Sequence, residues 1–139
     1  MKGENEWIAS GFSTKYDDGS CLYAIQLETF NEINFKRENM SFSDILLHPM
    51  EYELSDSSEN GKIFVFYNTL GSDGDVLEDV YILNTTSTNT FLISKADTID
   101  NIIEGEFTIN YKIRNPNLKV NPNAPDNIKF SDVHFSIKL

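Results

Sequence analysis

Between Ile103 and Ile113 the chain alternates without a break. Ile103, Gly105, Phe107, Ile109, Tyr111 and Ile113 take the odd positions, and Glu104, Glu106, Thr108, Asn110 and Lys112 the even ones. Successive side chains of an extended backbone point to opposite faces, so this order separates a dry face from a wet one when the segment is a β-strand. The pattern predicts a half-buried antiparallel strand, long enough to bend or to be shared between two sheets.

The same period recurs along most of the chain. In Cys21 to Phe30, residues Tyr23, Ile25 and Leu27 share the face expected to be buried, opposite Ala24, Gln26 and Glu28. Lys62 to Asn68 sets Ile63, Val65 and Tyr67 against Phe64 and Phe66, apolar on both sides, as in a central strand covered on two faces. Glu78 to Asn84 and Thr90 to Lys95 also read as strands, the latter with Phe91 and Ile93 on one side. In the last segment Ile128 and Phe130 are in phase with each other, but Val133, Phe135, Ile137 and Leu139 have the opposite parity. One extra residue near Ser131 and Asp132 restores the register, which predicts a β-bulge or kink there.

Turn compositions separate these segments: Asp17 to Ser20, Ser55 to Gly61, Gly71 to Asp75, and a long stretch from Asn115 to Asn127 holding Pro116, Pro122 and Pro125. Three prolines make the last loop stiff, and it is expected to wrap over an edge or an open end. Ser41-Phe42-Ser43-Asp44 resembles a helix capping box, but His48-Pro49 stops any helix soon after, so a short helical turn and a bent strand edge fit equally well. The expected fold is all-β: an antiparallel β-sandwich or flattened barrel of about eight strands, with at most one short helical turn and with Ile63–Tyr67 and Ile103–Ile113 at its centre. At 139 residues, with no repeat or linker, the chain is expected to form one domain over 1–139, with 1–6 as a polar lead-in.

Charge narrows the partners. Residues 38–106 carry fourteen Asp and Glu against Lys62 and Lys95, and the formal net charge of the chain is −11. Such a surface is repelled by phosphate backbones and anionic lipid, so nucleic acid is not an expected partner. No apolar run reaches the roughly 18 residues that a membrane helix needs. Cys21 is the lone cysteine and forms neither an internal disulfide nor a cysteine zinc site; on an apolar strand it is expected as a small core residue.

Candidate chemistry is sparse. Phosphate loops, Gly-x-Ser-x-Gly elbows, His-Glu-x-x-His helices and Cys-x-x-Cys pairs do not occur. The spacing of Cys21, His48 and His134 does not suggest a thiolate and base pair; His48 reads as a loop residue and His134 as facing water or a neighbouring sheet edge. Asp73, Asp75, Glu78 and Asp79 are the densest carboxylates, but Val76 and Leu77 interrupt the alternate ligand positions of a calcium loop, and a solvated acidic turn is favoured over a metal site. Aromatic residues are the remaining lead. Trp7, Tyr16 and Tyr81 are the rings whose faces are candidates for exposure and for stacking on a ligand such as a sugar, although an edge-covering role is the plainer reading. Asn39-Met40-Ser41 and Asn84-Thr85-Thr86 match the short glycosylation acceptor pattern, a motif that occurs often by chance.

Three segments in the second half carry a resemblance. Thr90 to Asp97, Ile102 to Ile109 with its Ile103-x-Gly105-x-Phe107 motif, and Ile128 to Ile137 with Phe135 near its end are similar to a family of small exported β-rich, lipoprotein-like domains of Bacteroidota whose function is not established. The family's earlier Gly-x-Tyr-x-Leu element is echoed by Met50 to Leu54, with Met50 in place of the usual glycine. The resemblance implies export, a lipid-anchored or surface location, a lipidated cysteine shortly before Lys2, and no assigned catalytic residue.

These readings converge on a non-enzymatic, extracytoplasmic envelope domain, without a cofactor, that binds or scaffolds a protein, glycan or small apolar ligand. Two alternatives stand beside it: a closed barrel carrying one small apolar molecule, and an acidic cytoplasmic inhibitor or immunity-like protein that meets a basic partner.

Overall fold

The computed structural model describes residues 1–71 and 73–139. Its strands are β1 (Ser10–Lys15), β2 (Leu22–Phe30), β3 (Lys36–Leu46), β4 (Met50–Glu51), β5 (Leu54–Ser55), β6 (Ile63–Leu70), β7 (Leu77–Leu83), β8 (Thr90–Asp97), β9 (Ile102–Ile113) and β10 (Asn127–Lys138). Among the described residues the one helical element is a 3-10 turn at Pro116–Leu118, where Asn115 caps the Asn117 N–H.

All ten strands belong to one sheet, ordered β1-β2-β3-β6-β7-β9-β8-β4, with β10 on the other edge of β9 and β5 beside the start of β6. Every pairing but the short parallel β5–β6 contact is antiparallel. The sheet curls into a half-barrel that brings its β1 and β10 edges together, where the Ser13 hydroxyl donates to the Lys138 carbonyl at 3.1 Å. The lead-in is built into this seam. Lys2 bridges Phe130, and the Gly3 N–H donates to the Lys129 carbonyl at 2.8 Å.

Alternation predicts the inner face well. Ile103, Gly105, Phe107, Ile109, Tyr111 and Ile113 are all buried, as are Ile25, Leu27, Phe91 and Ile93. In β7 the structure selects Tyr81 and Leu83 over Val80 and Ile82. Aromatic rings fill the interior in two groups. Phe42, Phe91, Phe107 and Phe135 occupy one end, with Phe42 and Phe91 centroids 5.0 Å apart, and Tyr67, Tyr81, Tyr111 and Phe130 the other, with Tyr67 and Phe130 centroids 5.1 Å apart. Each such pair adds about 0.5–1.5 kcal/mol to the burial of its rings.

Several expectations need correction. In β6, Ile63, Val65 and Tyr67 are buried, but Phe64 and Phe66 are only partly covered, because a single curled sheet has one interior face; their rings lean on each other at 5.7 Å. Of the two readings open for Ser41 to Leu46 the bent strand holds: the segment is the end of β3, distorted at Asp44, since β2 and β6 pair with it from both sides and their hydrogen bonds outweigh local capping. Cys21 is no core residue. It is exposed at the end of the β1–β2 turn with φ of 60°, and strand alternation begins only after it, at Leu22. Of the turn predicted over 71–75, Ser72 lies outside the described residues.

The predicted bulge falls where the parity changes. Phe130 pairs with Ile109 and Val133 with Phe107, so two residues of β10 face one step of β9. Asp132 takes φ of 52°, and its N–H donates to the Thr108 hydroxyl at 3.0 Å. Asp132→Val is expected to cost about 1–2 kcal/mol, because a β-branched residue is strained in the left-handed region, while Asp132→Gly stays within about 0.5 kcal/mol. Thermal melts of the two variants test this.

Candidate functional site

Strand connectivity places the β2–β3, β6–β7 and β9–β10 connections at one end of the half-barrel. The interior below this pole is polar, and Glu38 is its centre. As the third residue of β3 it shares the face of buried Met40 and Phe42, and its carboxylate accepts from Thr29 Oγ1 at 2.6 Å, from Trp7 Nε1 at 3.2 Å, from the Tyr67 hydroxyl and from Lys2 Nζ. Lys2 Nζ also donates to the Tyr67 hydroxyl at 3.0 Å and lies 5.4 Å from the centroid of its ring. Burial pushes the Glu38 carboxyl up, but the hydrogen bonds from Lys2, Thr29 and Tyr67 outweigh it and hold the group below the ordinary glutamate range. Both carboxylate oxygens are thus committed to internal donors, an arrangement that holds strands together and leaves no lone pair aimed at an outside molecule.

Three tyrosines pack beside it, the Tyr67 ring tilted against those of Tyr81 and Tyr111. The Tyr81 hydroxyl donates to the Pro125 carbonyl at 2.7 Å, fastening the prolyl loop across the pole as the sequence led one to expect. The Tyr111 hydroxyl is buried with no partner among the described residues. Burial raises the hydroxyl pKa of all three. Glu38 adds to the rise at Tyr67, and Tyr81, near Asp79 and Asp126, is pushed up to about 12. A raised folded value means stability that is complete below the ordinary tyrosine value of about 10 and is lost as pH climbs above it. We expect tyrosinate absorbance from these three rings to appear only together with loss of the near-ultraviolet dichroism, in a pH titration followed by both signals.

The three aromatic candidates do not form a platform. Tyr81 is 0% exposed and belongs to the interior. Trp7 is half-buried, its indole edge-on to Phe130 at 4.9 Å. Tyr16 is also half-buried and secures β3: its hydroxyl bonds Asp44 Oδ1 at 3.2 Å and accepts from the Asp44 N–H at 3.1 Å, where Asp44 bulges with φ of 66°. The two exposed histidines and Cys21 lie on separate elements; His134 Nδ1 stands 3.4 Å from Glu106, and the thiol lies 4.0 Å from the Gly19 carbonyl oxygen.

The four carboxylates of 73–79 are dispersed rather than convergent. Asp79 is buried and accepts from the N–H groups of Val120 at 2.9 Å and Asn121 at 3.2 Å, so it anchors the prolyl loop. Glu78 faces outward on the next position of the strand, and Asp73 accepts from the Asp75 N–H at 3.1 Å within the turn. Among the described residues no three His, Cys, Asp or Glu side chains gather around one point.

A surface recess beside β7 and β8 has no counterpart in the sequence pattern. β7 and β8 lie in line along the same edge of β9, Leu83 opposite Tyr111 and Thr90 opposite Thr108, and residues 84–89 loop out between them. Asn89 pins this excursion by donating to the Asn84 carbonyl at 3.0 Å and accepting from the Asn110 N–H at 2.7 Å. Where the two strands part, the β4–β5 segment fills in beside β6 and leaves a surface cleft of 470 Å³. Leu83, Tyr52 and Leu54 form its apolar side, and Glu51, Glu53, Thr85 and Asn89 its polar rim. The sequence shows the turn residues of 84–89, but only pairing with β9 makes the flanking strands collinear.

No family model, curated protein or solved structure matches the chain. Among the described residues, no helix is long and apolar enough to cross a membrane.

Proposed function

We propose that the chain is a non-enzymatic domain of the cell envelope that binds or scaffolds a partner at its surface. The observation that carries this reading is the packed interior: aromatic rings from β3, β6, β7, β8, β9 and β10 meet across it, and the 470 Å³ recess is an open cleft at its edge. A carrier of a small apolar ligand needs an enclosed apolar cavity of several hundred Å³. The commitment of Glu38, Asp79 and the Tyr67 and Tyr81 hydroxyls to internal partners favours a structural rather than a catalytic use of the buried polar groups. The envelope location rests on the likeness to exported lipoprotein-like domains. The cytoplasmic inhibitor remains the second reading, favoured by the net charge of −11.

Two measurements test the proposal. Fractionation of cells expressing the full natural gene should recover the chain with the envelope; recovery in the cytoplasm overturns the location and supports the inhibitor. Displacement of a fluorescent fatty-acid probe should fail, and stoichiometric displacement would establish the carrier instead.

A further inference from the structure

The pole above Glu38 exposes more large apolar side chains than a solvated surface requires. Ile33 and Phe35 of the β2–β3 turn, Val76 of the β6–β7 turn with Leu77 at the start of β7, and Leu118 and Val120 of the prolyl loop are each between 41% and 73% exposed. These tips are fastened to one another. Gly74, with φ of 76°, sits so close to the β2–β3 turn that a Cβ there would stand 2.9 Å from the Lys36 nitrogen and 3.4 Å from Phe35 Cβ. Arg37 donates to the Gly71 carbonyl at 2.7 Å, and the Asp79 carboxylate holds Val120 and Asn121. A patch assembled from three stapled loops is preorganised, so little ordering entropy opposes its use.

Charge on the same loops identifies what covers it. Glu32, Asp73, Asp75 and Glu78 flank the apolar tips, and none of them is in an ion pair among the described residues. Two of the neighbouring cations are already paired, Lys36 with Glu28 at 2.6 Å and Lys119 with Asp126. Arg37 lies against a carbonyl, and Arg114 is exposed. The result is an apolar centre with a margin that stays net acidic, the four carboxylates outnumbering Arg37 and Arg114. A second copy would bring carboxylates face to face with carboxylates, and an anionic bilayer would repel the margin while the tips tried to enter it.

Resting on the binding reading above, we propose that this pole is the docking surface, and that its partner is a protein presenting an apolar patch ringed by Lys and Arg. Apolar contact supplies affinity at the centre, and the acidic margin steers and orients the encounter.

The test uses the whole chain and an amphipathic peptide of Leu and Lys alone, with a Leu and Ser peptide of the same pattern as control, followed by calorimetry. Binding of the Leu and Lys peptide is expected, weakening as salt rises. Ile33→Ser/Val76→Ser should weaken it about tenfold or more, as loss of central apolar anchors does. Leu118→Ser gives an independent reading from the third loop, and Asp73→Asn/Asp75→Asn should flatten the salt dependence. Ile99→Ser, at a 90% exposed site in the β8–β9 turn, should change nothing. Equal affinity in the pole variants overturns the proposal, as does pole-dependent binding to phosphatidylcholine vesicles or pole-dependent dimerisation in sedimentation. A failure here leaves the envelope reading untouched, because cell fractionation and probe displacement decide that separately.

Discussion

Gly105→Ala is expected to destabilise the domain by roughly 3 kcal/mol or more, at the upper end of what overpacking costs. Gly105 faces inward in the middle of β9, opposite Ile93 of β8. A Cβ at this position would overlap the Leu92 carbonyl oxygen and stand 2.6 Å from Phe135 Cζ. The carbonyl belongs to the adjoining strand and cannot swing aside as a flexible side chain would. Phe135 in turn packs on Phe91 at 5.6 Å and on Phe107 at 6.3 Å, so its displacement spreads through the aromatic group at that end of the interior. Urea unfolding should show a lowered midpoint with an unchanged slope. An unfolding free energy within about 0.5 kcal/mol of the parent would mean that β8 and β9 are not so closely apposed. Phe135→Leu in the Gly105→Ala background should recover part of the loss, since it removes one of the two obstructions.

Removing the Glu38 carboxylate should have a comparable effect. Glu38→Ala leaves the Lys2 ammonium, the Trp7 N–H and the Thr29 and Tyr67 hydroxyls without their acceptor. Breaking a buried pair typically costs about 3–5 kcal/mol, and because the Lys2 side chain is 33% exposed the expected loss here is about 3 kcal/mol. The pH dependence carries a definite sign. With its folded value depressed, Glu38 contributes stability that is present above the ordinary glutamate value of about 4.3 and is lost as pH falls through the folded value. The fall in melting temperature between pH 6 and pH 3 should therefore be smaller in Glu38→Ala than in the parent. An equal fall in both would show that the acid sensitivity lies elsewhere. Lys2→Met should recover part of the cost when combined with Glu38→Ala, because it removes the ammonium left unpaired, and a double-mutant cycle of the two measures their coupling.

Much of the candidate surface was beyond reach of the sequence. Trp7 near the start, Tyr16 beside the Asp17–Asp18 turn and Tyr81 opposite Val80 read as rings whose faces could be exposed, yet hydrogen bonds to Glu38, Asp44 and Pro125 draw all three into the structure. Asp79 looked like one more member of an acidic turn. Whether a carboxylate meets water or two backbone N–H groups depends on where a loop some forty residues later is laid down. The apolar pole is equally hidden, because Ile33, Val76 and Leu118 and their near neighbours sit in separate polar loops and become a patch only when three hairpin connections share one end.

Periodicity alone determined the secondary structure class, the inner faces of β2, β8 and β9, and the bulge at Asp132, because each is a local consequence of where consecutive side chains point. Whether the sheet would stack as two layers or curl into one half-barrel was decided by pairing between distant segments, β3 with β6, β7 and β8 with β9, and Met1 to Gly3 with β10. Those contacts depend on the summed burial of the interior rather than on any short stretch. The same distant pairing set Phe64 and Phe66 on an outer face and Lys2 against Glu38, since a two-residue repeat says that two faces differ but not what either one meets.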